Sequence, residues 1–486
     1  MIARNPGIHF TLSLVVAWFA IQSVEAGTVH GQDDVFQGNG FKVGAVTQDT
    51  AIIWTRLTAR PDIDWDATKW PEIKKPMNPA LPEGKQISDM LGAIPGAGGR
   101  VKLVYQAESS KEDAKSIVTA WQNVDPQSDH TYQFGLKDLK PGTKYQVQVH
   151  SRALSGKIGP VMKGSFWTAP AGDASADVEF AVVTGQDFPR RDQGRMGHKI
   201  YPQMEKLGLH FFVHTGDIEY YDKPGPFATN VPMARFKWNR LFGLANQRSF
   251  HQNTSSYFIK DDHDTLKNDC WPGQKYGDIS WEDGLKIFKE QFPIGDQPYR
   301  SVRWGKHLQI WLVEGRDFRS KNSLPDGPEK TIWGKTQKEW FFKTVNESDA
   351  TFRILISPTP IVGPDRNGKG DNHSNKAFTT EGNQLREFIG KQKNMFVCCG
   401  DRHWQYFSVD EKTGVREFSC GPTSNKHAGG WSNDKRSDMH QYLNVTGGFL
   451  SVSIESESDE AAPKAKFKHY SVDGKLLNEE VFEAAK

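Results

Sequence analysis

The chain has 486 residues, with 61 Lys and Arg against 59 Asp and Glu, a formal net charge of +2. That balance gives no global reason to expect a nucleic acid or another polyanion as a stable partner. Four Cys exclude a disulfide-built scaffold, and 15 Trp with 29 Phe exclude a predominantly disordered chain. At roughly 150 residues per domain the length suggests about three units, with ample chain for a core.

Residues 1–26 read as an export signal. Arg4 supplies the positive start, residues 10–21 (FTLSLVVAWFAI) the apolar stretch, and Val24-Glu25-Ala26 the small or medium side chains before a cleavage point. Cleavage is expected after Ala26. The alternative, an uncleaved anchor, is disfavoured because the apolar run is short for a span, and no later segment is apolar enough to be one. The mature chain is therefore expected to be soluble and secreted or periplasmic.

Residues 36–170 read as all-β. Residues 41–57 (FKVGAVTQDTAIIWTRL) alternate around a turn at Thr47-Gln48-Asp49, as a hairpin does. RVKLVYQA and HTYQFGLKDL supply further strands. Pro141-Gly142 marks a tight turn, followed by the period-2 run Tyr145, Val147, Val149. This Leu-x-Pro-Gly-Thr-x-Tyr pattern resembles the corner of a fibronectin type III sandwich, with Tyr145 tied back to the backbone through its hydroxyl. Residues 62–99, rich in Pro, Gly and Lys, read as a long insertion loop.

From Val178 onward strands alternate with helices. VEFAVVTG, LHFFVHTGD, SSYFIKDDHD, FRILISPTP and NMFVCCGD are strand candidates, and RSVRWGKHLQIWLVEG is a hairpin turning at Gly305. Helices are expected over 198–206, from the Ser280/Asp283 cap to Phe292, from a Thr336/Glu339 cap to Val345, and over 381–391. GFLSVSIES and AKFKHYSVDGKLL close the chain as a hairpin. This is an α/β or α+β layered pattern.

Acidic residues and histidines follow four of these strands: Gly185-Gln186-Asp187, Gly216-Asp217, Asp261-Asp262-His263-Asp264 and Gly400-Asp401-Arg402-His403. Strand carboxyl ends are where ligands gather in layered α/β folds. Clustered carboxylates and imidazoles repel or stay uncharged unless a cation joins them. The economical reading is a centre for hard metal ions with oxygen and nitrogen donors.

The ordered set of motifs resembles the PhoD-type (alkaline phosphatase D) family of secreted metallophosphatases, over nearly the whole mature chain. Gly216-Asp217 with Tyr220 is similar to the family's Gly-Asp-x-x-Tyr, and Asp261 to Asp264 to its Asp-Asp-His-Glu. Residues 333–340 (WGKTQKEW) are similar to its Leu-Gly-x-x-Gln-x-x-Trp, Gly400 to His403 to its Gly-Asp-x-His, and Glu417-Phe418 to its Glu-Phe strand. The resemblance implies a fibronectin-III/Ig-like sandwich over 36–170 and a catalytic domain over 178–470. That domain is an α/β four-layer metallophosphoesterase β-sandwich flanked by helices. Two departures stand out. Gly185 replaces the family's Cys iron ligand, and residues 233–242 (MARFKWNRLF) contain no Tyr where the family has another. An iron–calcium pair is therefore not carried over. Two divalent or trivalent ions are expected, with Ca, Fe, Mn and Zn undistinguished; a single metal or a lost activity stays open.

The resemblance implies roles. Asp217 bridges the metals, Asp187, Asp262, Asp401 and His403 complete the ligand set, and the metals acidify a water. His263 is the general acid or stabilises the phosphoryl oxygens. Arg402 either meets phosphate as a bidentate donor or pairs with a neighbouring carboxylate. Arg190, Arg191 and Arg195 either steer anionic substrates or form a solvated run. His214 reads as a core residue, Tyr220 as a support, and Cys270 as an outside candidate ligand. Cys398 and Cys399 read as small hydrophobes, and a Cys399–Cys420 bridge is open. The expected function is hydrolysis of small-molecule or polymeric phosphate esters, monoesters or diesters. The alternative is a catalytically degenerate surface protein that binds a metal or ligand without turnover.

Overall fold

The computed structural model describes residues 34–76, 81–108, 115–456 and 462–485. The expected leader at 1–26 lies outside them. Among the described residues no helix is long and apolar enough to cross a membrane.

Two large sheets face each other. One has nine strands, in the order Leu476–Glu483, Lys464–Ser471, Gly448–Glu455, Val178–Val183, Phe211–His214, Ser255–Phe258, Phe41–Gly44, Ala51–Arg56, Thr131–Leu136. The other has seven: Arg300–Trp304, Leu308–Leu312, Phe352–Ser357, Met395–Cys399, Arg416–Cys420, Gln405–Val409, His440–Asn444. The central strands of both are parallel and almost wholly buried, as their near-continuous apolar runs require. Side chains of both sheets interdigitate between them: Phe180, Phe211, Trp304, Ile354, Phe396 and Phe418. Phe418 stacks between Phe407 and Phe467, with ring centroids 4.4 and 4.1 Å away. Burying one such side chain is worth about 1.5–3 kcal/mol. Helices cover both outer faces, through Ile200, Met204 and Phe250 on one and Phe341, Val345, Leu385 and Ile389 on the other. The four-layer α/β architecture is thus present.

The N-terminal β-sandwich is present too. Strands Phe41–Gly44, Ala51–Arg56 and Thr131–Leu136 face Gly99–Ala107, Lys144–Ala153 and Met162–Trp167 across a core that includes Val43, Ile53, Leu103, Val147, Val149 and Phe166. One of its sheets continues directly into the nine-stranded sheet, through a parallel contact of Gly44 with Ser256. The Tyr145 hydroxyl accepts the Lys140 N–H at 2.8 Å, as the corner motif predicts.

Residues 62–99 are irregular but not a free loop where described. Ile63 and Ile94 sit in the core around helix Val231–Phe242, Trp65 stacks on Phe188 with centroids 6.3 Å apart, and Trp70 contacts Phe236 at 4.9 Å. The Ser280/Asp283 capping box forms, and its helix runs Trp281–Gln291. The Thr336/Glu339 cap does not. Its helix begins earlier, Gly334–Glu347, because the Thr331 hydroxyl accepts the Gly334 N–H at 2.7 Å. The chain also ends on three antiparallel strands rather than two.

All four Cys are free and buried. Cys399 pairs with Ser419 in register, so strand alternation turns Cys420 to the face shared with Cys398 and away from Cys399. A Cys399–Cys420 bridge is excluded by that alternation.

The Tyr145→Phe variant is expected to lose about 1 kcal/mol of unfolding free energy. Urea unfolding monitored by Trp fluorescence measures it; an unchanged midpoint would remove the corner's energetic role.

Candidate metal centre

Strands Val178–Val183, Phe211–His214 and Ser255–Phe258 are parallel and in register, so their carboxyl ends share one edge. Asp187, Asp217 and Asp261 to Asp264 follow them there. Strand Met395–Cys399 brings Asp401 and His403 from the opposite sheet. Backbone contacts stitch the loops together. Gln186 N–H donates to the Asp217 carbonyl at 2.6 Å, and Asp401 N–H donates to Thr184 Oγ1 at 3.1 Å. Asp264 does more: Oδ1 accepts the N–H groups of Ile218 and Glu219 at 2.7 and 3.1 Å, and Oδ2 accepts that of Asp261 at 2.9 Å. Asp217 and Asp401 have left-handed backbone, φ +55° and +61°. Such conformations cost energy and concentrate where geometry is functional.

The ligand atoms of Asp217, Asp262 and His263 all lie within 4.8 Å of one another. Asp217 Oδ2 accepts the Tyr220 hydroxyl at 2.8 Å, while Oδ1 is buried without a partner. Asp262 is fixed by two N–H donors, His263 at 2.9 Å and Asp269 at 2.6 Å. Burial opposes ionisation of Asp262, but Arg316 and His263 outweigh it and hold the carboxyl well below its usual range. His263 Nδ1 lies 2.6 Å from Asp222 Oδ1, and its ring packs on Tyr220 with centroids 4.2 Å apart. Burial would lower its pKa, yet Asp262, Asp217 and Asp222 together push it up to about 10. The Asp217 and Asp262 carboxylates, with the orphaned Asp217 oxygen, fit a divalent cation.

Asp187 is 4 % exposed; its Oδ1 has no partner and its Oδ2 lies 3.7 Å from Arg190 Nε. Burial and then Glu219 raise its pKa to about 6. Glu219 is fully buried beside two cations, Lys237 Nζ at 3.3 Å and Arg240 at 3.5 Å. His403 Nε2 lies 3.2 Å from the Tyr220 hydroxyl and 3.4 Å from Asp217. His427 stands beside it, ring centroids 4.1 Å apart, with both ring nitrogens buried and unpartnered. Burial raises Asp401 to about 7, against the pull of Arg402 and with the push of Asp371.

Gly185 has φ +56°, and a Cβ there would lie 2.9 Å from His403 Cδ2 and 3.3 Å from Pro422 Cβ. A side chain at the position of the family's Cys would press on the His403 ring.

The structure brings Asp187, Asp217, Asp262, His263, Asp401 and His403 to one region. Of the two roles expected for Arg402, the structure shows the pairing with neighbouring carboxylates. That side chain is wholly buried, with Nη2 at 2.9 Å from Asp365, 3.1 Å from Asp371 and 2.7 Å from Asp401. It serves these three acids as a counterion through Nη2, while its Nε and Nη1 are buried without a partner. Arg190 is the open cation: its side chain is 36 % exposed. His214 is a buried residue accepting the Gly216 N–H at 3.3 Å, and Cys270 donates to the Asp262 carbonyl at 3.3 Å with its thiol pushed up to about 12 by burial. His373 pairs with Glu381 at 3.0 Å.

Sequence reasoning missed Asp222, Glu219, Lys237, Arg240, Arg316 and His427. One signal was readable: Lys237 and Arg240 are spaced one helical turn apart among Phe236, Trp238, Leu241 and Phe242, where two cations on an apolar stretch demand acidic partners. His427 sits in a polar loop, SNKHAGG, with no such mark.

Arg402→Met is expected to cost about 3–5 kcal/mol of stability, since it removes the buried cation shared by Asp365, Asp371 and Asp401. A variant that melts like the wild type and shows only a raised KM would restore a phosphate-binding role.

Comparison with known proteins identifies the family and the fold. The profile of the PhoD-like phosphatase family matches residues 180–448, and that of its N-terminal domain matches residues 24–170. Alkaline phosphatase D of Bacillus subtilis is 22 % identical over 89 % of this chain and 76 % of its own. The solved structure of PhoD superposes with a TM-score of 0.70 at 17 % identity, covering 92 % of this chain and 90 % of that one. A purple acid phosphatase from yellow lupin seeds shares the fold at a TM-score of 0.61 and 12 % identity, over 91 % of this chain and 74 % of its own. With its catalytic region and its N-terminal sandwich both matched, the chain belongs to the PhoD-like phosphatase family.

Proposed function

We propose that the chain is an exported, metal-dependent phosphoesterase that hydrolyses phosphomonoesters or phosphodiesters. The observation that carries this is His263, held by Asp222 and packed on Tyr220, beside the paired carboxylates Asp217 and Asp262. Residues 1–26, with their positive start and apolar stretch, support export.

A cation held by Asp217 and Asp262, with Asp401 and His403 nearby, would neutralise phosphoryl charge and acidify a water. The remaining work is positioning and charge supplied by the chain. The Asp222 carboxylate fixes the His263 ring by its Nδ1, which leaves Nε2 to donate a proton to the departing ester oxygen. Tyr220 supports both Asp217 and His403 through one hydroxyl, so the two sheets' contributions keep a fixed separation. Arg190 approaches from the open side, where its guanidinium meets the phosphoryl oxygens. No substrate length or leaving group is selected by these residues, and both monoesters and diesters remain in the class.

EDTA is expected to abolish hydrolysis of p-nitrophenyl phosphate. His263→Ala should lower kcat by roughly 10²–10⁴-fold, more for an alkyl ester than for p-nitrophenyl, whose phenolate leaves without a proton. Steady-state rates on both substrates decide it; rates indifferent to EDTA and to the substitution would overturn the proposal.

A further inference from the structure

We propose that this centre takes one divalent cation, on the Asp217–Asp262 side, and that the Lys237 ammonium supplies at Asp187 and Glu219 the positive charge a second cation would bring. The proposal rests on the metal-dependent reading above and specifies its stoichiometry.

Lys237 is wholly buried. Its ammonium donates to the Tyr220 and Lys223 carbonyls and lies 3.3 Å from Glu219 Oε1, so each of its three hydrogens has an acceptor. Arg240, one turn along helix Val231–Phe242, pairs with the same Glu219 at 3.5 Å and donates to the Gly225 carbonyl. Between them Trp238 anchors the helix in the core, its indole N–H on the Tyr221 hydroxyl at 2.6 Å. Neither cation can swing away without unpacking that helix.

The charge count on this side is already closed. Asp187 and Glu219 carry two negative charges, and Lys237, Arg240 and Arg190 all act on Asp187. A divalent ion placed there would meet the two positive charges that helix Val231–Phe242 holds in place, Lys237 and Arg240. Gly185 adds no side chain to this wall, and the His403 ring and Pro422 lie where a Cβ would go.

The other side is the reverse. Asp217, Asp261, Asp262, Asp264 and Asp401 converge, and Arg316 pairs with Asp261 and stands 3.7 Å from Asp262. Arg402 answers Asp401 while also serving Asp365 and Asp371. With the His263 imidazolium shared among Asp217, Asp262 and Asp222, Asp217 still has an Oδ1 that is buried and unpartnered within reach of Asp262. A single cation gives that oxygen its partner. Asp187 Oδ1 is unpartnered too, so Asp187 is the residue the experiment interrogates.

The purified full chain is loaded with Mn²⁺, desalted, and measured by elemental mass spectrometry and electron paramagnetic resonance. One Mn²⁺ per chain with the signal of an isolated ion is expected. Asp187→Asn should keep that one ion and Asp217→Asn should lose it. Two ions per chain, an exchange-coupled signal, or loss of an ion on Asp187→Asn would overturn the single-cation proposal while leaving metal dependence standing. The wild-type count decides even if a variant fails to fold. A chain that binds no Mn²⁺, Ca²⁺, Zn²⁺ or Fe²⁺ would overturn the metal-dependent reading itself, and this proposal with it.

Discussion

The constraint on which this structure turns is negative charge buried where two sheets meet. Asp187, Asp217, Glu219, Asp261, Asp262 and Asp264 are each at most 5 % exposed, crowded at neighbouring strand ends. Carboxylates cannot be buried together without countercharge. The chain answers with cations drawn from elements distant in sequence. Arg316, from the loop after strand Leu308–Leu312, reaches across to Asp261 in the opposite sheet's loop. Lys260 reaches back to Glu314 and Asp317 at 2.7 and 2.6 Å. Arg402 and Lys237 pair within their own layers, Arg402 with Asp365, Asp371 and Asp401 and Lys237 with Glu219. The Arg316 and Lys260 ion pairs therefore align the two sheets, and a shift of one sheet would strand charges on both.

This arrangement explains why Asp264 matters although it is no ligand candidate. Its carboxyl collects three backbone N–H groups from two loops, so the turn carrying Asp217 and the turn carrying Asp262 hold one geometry. Glu417 plays the matching part in the other sheet. Its carboxylate accepts the N–H groups of Ile361, Val362 and Gly363 at 2.6, 2.9 and 2.7 Å, plus the Tyr406 hydroxyl at 2.8 Å. Both are acids used to replace missing backbone partners in irregular loops. The irregular backbone at Asp217 and Asp401 is held in place by such contacts.

Much of the fold was legible because it is written in local pattern. Alternation at Tyr145, Val147 and Val149, the Ser280/Asp283 cap and the turn at Gly305 each act over a few residues. The continuity of the N-terminal sandwich with the nine-stranded sheet was not legible, because it rests on a single parallel contact between Gly44 and Ser256, more than two hundred positions apart. The Thr336/Glu339 cap failed for a related reason: Thr331 competes for the same helix start, and a Glu381 carboxylate fixes Thr331 at 2.5 Å from a remote helix. In the site, acids after strands were visible as a motif. Their counterions were not, since Lys237, Arg240 and Arg316 look like ordinary surface charges until tertiary packing encloses them.

The departures from the family's pattern bear on whether the site is maintained. A site left to decay would show voids, unpaired charges or loosened loops where ligands had been. Here the space beside Gly185 is filled by the His403 ring and Pro422. The ammonium of Lys237 has an acceptor for every hydrogen, and the Glu219 it neutralises is wholly buried. Lys237 and Arg240 are enclosed with the Glu219 carboxylate they pair with. The His263–Asp222 pair, which a purely structural loop has no need of, stays intact on the other side. A site packed and charge-paired in this way favours turnover over the binding-only alternative.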